Sequence, residues 1–382
     1  MSQSEKRNMM TETKKTKWPL RILAAVLLLI TLWGTLFLGT QPLEQPKVIT
    51  AAQNVGDLYR SEMDAEFSNI IFGEVAIRKD YKISDTALAA PVPDPACYGE
   101  ASTAAELQWL LDKAADVLEG QQLYFSTETE LFPNSVVRYY LDETILAITW
   151  KQLLDGVVFT FSEVKVLHPS QFRRYLSGGE FGSGQLSKTT EMSKSVNAVV
   201  ACSADYYSYR RRGVTATNGT VHKAIYGVFD LCFVDYDGNL ILERNLELND
   251  AETAQAYVDD HNINFSLSFG PILVKDGEFA CPRGYGLGEV HEKFPRAAIL
   301  QMDDLHYMFA ASNIEKKYYK SLTMKEFATC IFTTGCRQAD ALDGGQTATV
   351  VMNNMLCNNV NYGSERLISD MIYFATAKPA GE

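Results

Sequence analysis

Apolar and polar positions along this chain change period, and the changes mark its elements. Val157 to Leu167 alternates with a period of two, with Val158, Thr160, Ser162 and Val164 on one face, which predicts a strand. Ser135–Leu141 and Thr144–Trp150 read as a hairpin turned at Asp142-Glu143. Ile225–Asp235 and Leu240–Arg244 flank the turn Tyr236-Asp237-Gly238-Asn239, and Ala297–Met302 and His306–Ala311 flank Asp303-Asp304. Pro271–Lys275 runs into Asp276-Gly277, and Val350, Val351 and Met352 run into Asn353-Asn354. Two stretches have helical spacing instead. From Thr103 to about Glu119, Leu107, Leu110, Leu111, Ala114 and Leu118 share a face behind a Thr103/Glu106 capping box, and Gly120 ends the run. Thr323 and Glu326 make a second box before Phe327 and Ile331, closed by Gly335. The pattern predicts an α+β fold, a mixed sheet domain with few helices.

The N-terminal end differs. Lys6, Arg7, Lys14, Lys15, Lys17 and Arg21 precede Ile22 to Gly39, about eighteen residues without a charge, the length of a spanning helix. The basic flank lies on one side only, so the reading is a single-pass membrane protein with its N-terminus cytoplasmic and its main domain extracytoplasmic. A cleavable signal peptide is the runner-up, but Leu38-Gly39-Thr40 is a poor cleavage site. The expected layout is a basic tail (1–21), an anchor (22–39), a linker with an unassigned smaller α+β region (40–150), and a main domain (155–378).

Charge narrows the choice of partner. The 382 residues carry 47 acids against 35 Lys plus Arg, a net −12, and the basic tail leaves the outer part more acidic still. Nucleic acid is therefore not expected, because phosphate backbones demand clustered cations. Seven cysteines form no CxxC pair and five histidines are scattered, so neither metal nor cofactor is expected. Cys330 and Cys336 straddle a predicted helix end and are close enough in sequence to pair.

Leu342-Asp343-Gly344-Gly345-Gln346-Thr347 is the most suggestive stretch. It sets a carboxylate at a strand end beside glycines, which permit positive φ and close approach of a ligand to the backbone. Three further segments keep it company: Ala198-Val199-Val200-Ala201-Cys202-Ser203-Ala204-Asp205-Tyr206-Tyr207, Ser268-Phe269-Gly270-Pro271-Ile272-Leu273-Val274, and Pro295-Arg296-Ala297-Ala298-Ile299. In this order, and answered by Glu365-Arg366 and Ser369-Asp370, they resemble the phosphodiester glycosidase family. That family is of the uncovering-enzyme type and includes bacterial exopolysaccharide-biosynthesis proteins. The sequence departs from the family pattern at Ser203, Ala204, Thr217, Ala297 and Gln346.

The resemblance implies hydrolysis of a sugar-1-phosphodiester in a cell-envelope or extracellular glycan. It implies Asp343, Asp205 and Glu365 as candidate carboxylates, and Arg296, Arg366, Gly344, Gly345 and Thr347 as phosphate and substrate ligands. The alternative is a catalytically silent glycan-binding or assembly module of the same fold. Arg210-Arg211-Arg212 reads as a solvated loop, and Tyr206, Tyr207 and Tyr209 as core aromatics with the capacity to stack on sugars.

Overall fold

The computed structural model describes residues 23, 25–29, 83 and 89–378, except 228, 286–288 and 316–319. The chain divides into two compact units, 1–73 and 74–382, and every strand among the described residues belongs to the second. The expected anchor at 22–39 lies outside the described residues apart from a fragment of helix. Among the described residues no helix is long and apolar enough to cross a membrane.

β1 (Tyr98–Ala101), β2 (Val137–Leu141), β3 (Ile145–Leu154) and β4 (Val157–Val166) pair in succession. After them come β5 (Phe172–Leu176), β6 (Val200–Ser203), the hairpin β7 (Gly213–Thr217) and β8 (Thr220–Ile225), β9 (Leu231–Asp235), β10 (Leu240–Glu243) and β11 (Ile263–Leu267). β12 (Ile272–Lys275), β13 (Glu278–Phe279), β14 (Ala297–Asp303), β15 (His306–Ser312) and β16 (Gln338–Leu342) complete a nine-stranded sheet of order β1-β2-β3-β4-β15-β14-β16-β12-β13. β17 (Val350–Met352), β18 (Met355–Leu356) and β19 (Asp370–Phe374) build a five-stranded sheet, β18-β17-β6-β19-β5, and β10-β9-β11 forms a third.

The sheet-dominated α+β character with few helices agrees with the sequence pattern. Among the described residues the pairings themselves are antiparallel rather than mixed. Several neighbours are joined by tight hairpins, which can only produce antiparallel pairs. Asp155-Gly156, Asp276-Gly277 and Asn353-Asn354 all have positive φ at both turn residues, the conformation that matches strand twist. The boundary expected near residue 150 is not one in the fold. β3 runs across it and pairs with β4 from Ile145↔Val166 to Leu154↔Val157, so residues 98–154 belong to the main sheet.

The large sheet is buried on both faces, and β14 shows how. Ala298 and Leu300 face a core that takes in Leu107, Leu110, Phe327 and Ile331 from the two capped helices, Ala104–Lys113 and Met324–Phe332. Ala297 and Ile299 face the opposite way, toward Val200, Cys202, Phe265, Ile372 and Phe374 of the smaller sheets. Phe159 stacks on Phe327 at 5.8 Å and 9°, fixing one helix against the sheet. Both capping boxes form as the sequence predicts, but the first helix breaks at Ala114 and resumes as the single turn Ala115–Leu118. Cys330 and Cys336 are unpaired, buried thiols.

One residue of β16 violates the pattern. Asp340 points into the second core with no exposure, and neither carboxyl oxygen has a hydrogen-bond partner among the described residues. Burial, followed by the charges of Asp230 and Asp205, holds its pKa well above the usual value of 3.8. Burial therefore favours the neutral form in the fold over the ionised form that the unfolded chain prefers at neutral pH. A raised folded pKa gives stability that is complete below the unfolded value and lost as pH climbs toward the folded one. Thermal melts between about pH 4 and 8 should show wild type weakening relative to Asp340→Asn as pH rises. Parallel curves would mean that Asp340 is ionised in the fold.

Candidate active site

The four motif segments meet where β16 ends. The Asp343 N–H donates to the Ala204 carbonyl at 3.1 Å, just past the end of β6, and the Gly345 N–H donates to the Pro295 carbonyl at 2.7 Å, just before β14. A Cβ on Gly344 would lie 2.6 Å from the Pro295 oxygen, so only glycine lets this turn seat. Ala341 exchanges backbone bonds with Gly270 and Pro271 at 3.2 and 3.1 Å, which brings in the Ser268–Val274 segment. The result is a cavity of about 480 Å³ whose walls include Arg210, Phe269, Arg296, Asp343, Tyr362 and Arg366.

Asp343 is half-buried as a residue, but its Oδ2 is enclosed and has no hydrogen-bond partner among the described residues. Burial raises its pKa to about 6, against the opposing pull of the Thr347 hydroxyl, Arg210 and Arg366. Arg366 is exposed and lies over the Tyr206 ring at 4.7 Å and the Tyr209 ring at 5.7 Å, bonded to the Tyr206 hydroxyl. Tyr206 and Tyr209 stack on each other at 4.1 Å. Arg210 lies over Phe269 at 3.9 Å and donates to the Ser268 carbonyl at 3.2 Å. Burial lowers its pKa, opposed by Asp205 and Asp343.

Arg296 lines the cavity but is 6% exposed, and its guanidinium donates to the carbonyls of Glu292 at 2.6 Å and Leu322 at 3.3 Å. It braces the loops beside the cavity with part of its donor set. Gly344 and Gly345 line the cavity, whereas Thr347 is buried and donates its hydroxyl to the Gly344 carbonyl, shaping the turn.

Two expected site residues lie elsewhere. Asp205 is 1% exposed, and its oxygens accept from Arg174 Nη2 and the Ser268 N–H, both at 2.8 Å. The Arg174 side chain is wholly buried and also binds Asp370 at 2.6 Å, while Asp370 accepts the Tyr206 N–H at 3.1 Å. Asp205 thus belongs to a buried ion network behind the cavity wall and not to the cavity. Burial and the Asp205 charge raise the Asp370 pKa to about 7, Arg174 opposing. Glu365 turns away: its carboxylate accepts the Thr190 N–H at 3.1 Å and the Thr190 hydroxyl at 2.6 Å, holding the first turn of the Thr189–Ser195 helix.

Sequence reasoning read Arg210 as part of a solvated loop, with a lesser chance of meeting an anionic glycan, and did not single out Tyr362. Arg210 hides in a basic run whose other members, Arg211 and Arg212, are exposed, and a run of like charge carries no signal of which member turns inward. Tyr362 is 83% exposed at the rim with φ 62°, a left-handed backbone shared by Tyr206 at φ 63°. Such conformations are costly for a tyrosine and concentrate at functional sites. Gln346 donates to the Ser364 carbonyl at 2.9 Å and so ties the DGGQT turn to the loop carrying Tyr362 and Arg366.

Comparison with known proteins gives the same direction. Residues 196–375 match the phosphodiester glycosidase family. A curated relative, the SPbeta prophage-derived uncharacterized protein YomE of Bacillus subtilis (strain 168), is 24% identical over 198 residues, 50% of this chain and 30% of that protein. The chain therefore spans under a third of that relative's length. Among solved structures, the fold is similar to the catalytic domain of zebrafish N-acetylglucosamine-1-phosphodiester alpha-N-acetylglucosaminidase, auto-inhibited by its pro-peptide. That match has a TM-score of 0.50 and 15% identity, and covers 68% of this chain and 92% of that one. A hypothetical protein from Synechocystis is similar at a TM-score of 0.43 and 13% identity, over 62% of this chain and 63% of its own. The part of this chain that is similar to the phosphodiester glycosidase family is residues 196–375, a little under half of its length.

Proposed function

We propose that the cavity hydrolyses a sugar-1-phosphodiester, with a cell-envelope or extracellular glycan as the substrate. The observation that carries this reading is that three arginines, Arg210, Arg296 and Arg366, line one cavity with a single carboxylate, Asp343, in a protein of net charge −12. Of these, Arg210 and Arg366 have no carboxylate within salt-bridge distance among the described residues, so both are available to an anion. In the reaction the bond from the anomeric carbon to the phosphate oxygen breaks, and water supplies the new oxygen. The departing phosphate monoester stays anionic, so it needs cations more than a strong general acid. Asp343, ionised above about pH 6, faces the positive charge developing on the sugar and can take the proton of the attacking water.

Removing one preorganised electrostatic partner typically costs about 2–4 kcal/mol of transition-state stabilisation. Arg210→Ala and Arg366→Ala should each lower kcat/KM by that amount on a sugar-1-phosphodiester. Arg366→Ala, on the surface, should leave the melting temperature unchanged. Arg296→Ala should lower both activity and melting temperature, because its guanidinium holds two loop carbonyls. A full-rate Arg366→Ala variant would remove the anion from this cavity.

Activity should rise as pH passes upward through about 6, following Asp343, and Asp343→Asn should abolish both that limb and most of the rate. The sign of the stability effect is opposite. With its folded pKa raised, the carboxyl contributes stability only below that value, so Asp343→Asn should fold at least as well as wild type at pH 7. A collapse in stability would mark Asp343 as a structural turn residue. If the protein binds glycan through Arg366 and turns over no glycosyl phosphodiester, it is a silent binding module instead.

The anchor belongs to the same proposal and rests on the charge-free Ile22–Gly39 run with its one-sided basic flank. A reporter joined after residue 50 should be active only outside the cytoplasm. Cytoplasmic activity would reverse the topology, and a mature chain starting near Gln41 would mean that the segment is cleaved.

A further inference from the structure

A second cavity, again of about 480 Å³, opens beside β5, the terminal strand of the five-stranded sheet. Its walls include Phe181, Asn218, His222, Tyr236 and Asn264, and none of the residues that line the first cavity. Two consecutive residues reach toward the two cavities. Tyr206 lines the first cavity, and the Tyr207 ring packs on Phe181 of the second at 5.3 Å. Phe181 is carried by the glycine-rich stretch 178–184, where Gly178, Gly179, Gly182 and Gly184 all have positive φ, and its other ring neighbour is His222 at 5.2 Å and 9°.

We propose that this second cavity binds a neutral saccharide. Sugars present C–H faces that pack on aromatic rings and hydroxyls that each need both a donor and an acceptor, and this wall offers both kinds of contact. Phe181 and Tyr236 supply rings. The side-chain amides of Asn218 and Asn264 make no hydrogen bond among the described residues, and each holds donors and an acceptor ready. Arg174 is half-buried as a residue while its side chain is wholly buried, so its exposed part is strand backbone, a further source of N–H and C=O at the sheet edge.

The charges argue against an anionic ligand. The Arg174 guanidinium is matched by Asp205 and Asp370, and of the other two lining charges Glu180 offsets Arg173, so the wall carries no excess of cations. His222, bonded through Nε2 to Thr217 at 2.7 Å, has a pKa lowered by burial and by Arg174, so its ring stays neutral at pH 7. The volume lies within the usual range for a small-ligand pocket, about 300–1,000 Å³.

The test is calorimetric titration of the full chain with glucose, N-acetylglucosamine and maltose, together with NMR of the five histidine side chains. Saturable binding is expected in the millimolar range, about −4 kcal/mol, with the His222 signal moving. It should persist in Asp343→Asn and Arg366→Ala, and weaken about tenfold or more, roughly 1.4 kcal/mol, in Phe181→Ala and Asn264→Ala. Because Phe181 also supports Tyr207, the Asn264→Ala result and the His222 signal decide if Phe181→Ala misfolds. The proposal is overturned by a lack of saturable binding for all three sugars. Binding abolished by Arg366→Ala but indifferent to Asn264→Ala would also overturn it, as would binding of glucose 1-phosphate in preference to glucose.

Discussion

Everything at the candidate site leans on one buried cation. Arg174 stands in the middle of β5 and joins three segments far apart in the chain: Asp205 at the end of β6, Asp370 at the start of β19, and the Ser266 carbonyl of β11. Burying a guanidinium is unfavourable unless its charge and donors are all met, and here two carboxylates and a carbonyl meet them. Removing Arg174 would leave two buried carboxylates without their cation, a defect that typically costs about 3–5 kcal/mol. The network also fixes the direction of the chain as it leaves β6. Asp370 holds the Tyr206 N–H, which keeps that residue in its left-handed conformation with its ring under Arg366. A carboxylate whose sequence context suggests chemistry thus acts by holding the wall upright.

This explains which parts of the molecule were legible in the sequence. Local devices read well because their signal lies within a few residues. The Thr103/Glu106 and Thr323/Glu326 boxes, the Asn353-Asn354 turn and the alternation of β4 all depend on short-range geometry. The membership of β1–β3 in the main sheet was not legible, since nothing near residue 150 announces that β4 will find β15 as its other neighbour. At the site, motif order located the cavity through Arg296, Arg366 and the DGG turn. It could not separate residues that face the cavity from those that brace it. Asp205 and Arg210 are five positions apart, both charged, and have opposite fates decided by Arg174 and Phe269, partners remote in sequence.

The electrostatics of the cleft depend on the same arrangement. The surface of an acidic protein repels an anionic glycan at long range, and the Debye length at physiological salt is about 8 Å. Attraction must therefore come from charges inside the cleft, where low-dielectric walls lessen screening. Arg210, half-buried against Phe269, keeps its field in moderate salt better than Arg366, which sits on the outside of the Tyr206–Tyr209 stack. Under the proposed function the two cations would divide the work by depth, the outer one governing encounter and the inner one the bound state.

The margins of the sheets carry a different consequence. β13 closes one side of the nine-stranded sheet with two residues, and β18 closes the five-stranded sheet with two more. On the opposite margin of the large sheet β1 has only four residues, and its Glu100 pairs with Arg138 of the neighbouring strand. Strands this short or charged offer a poor template for a second chain, so the extended interior sheet is shielded from edge-to-edge stacking. Of the four margins of these two sheets β5 is the longest, and its residues form part of a cavity wall instead of a flat exposed ribbon.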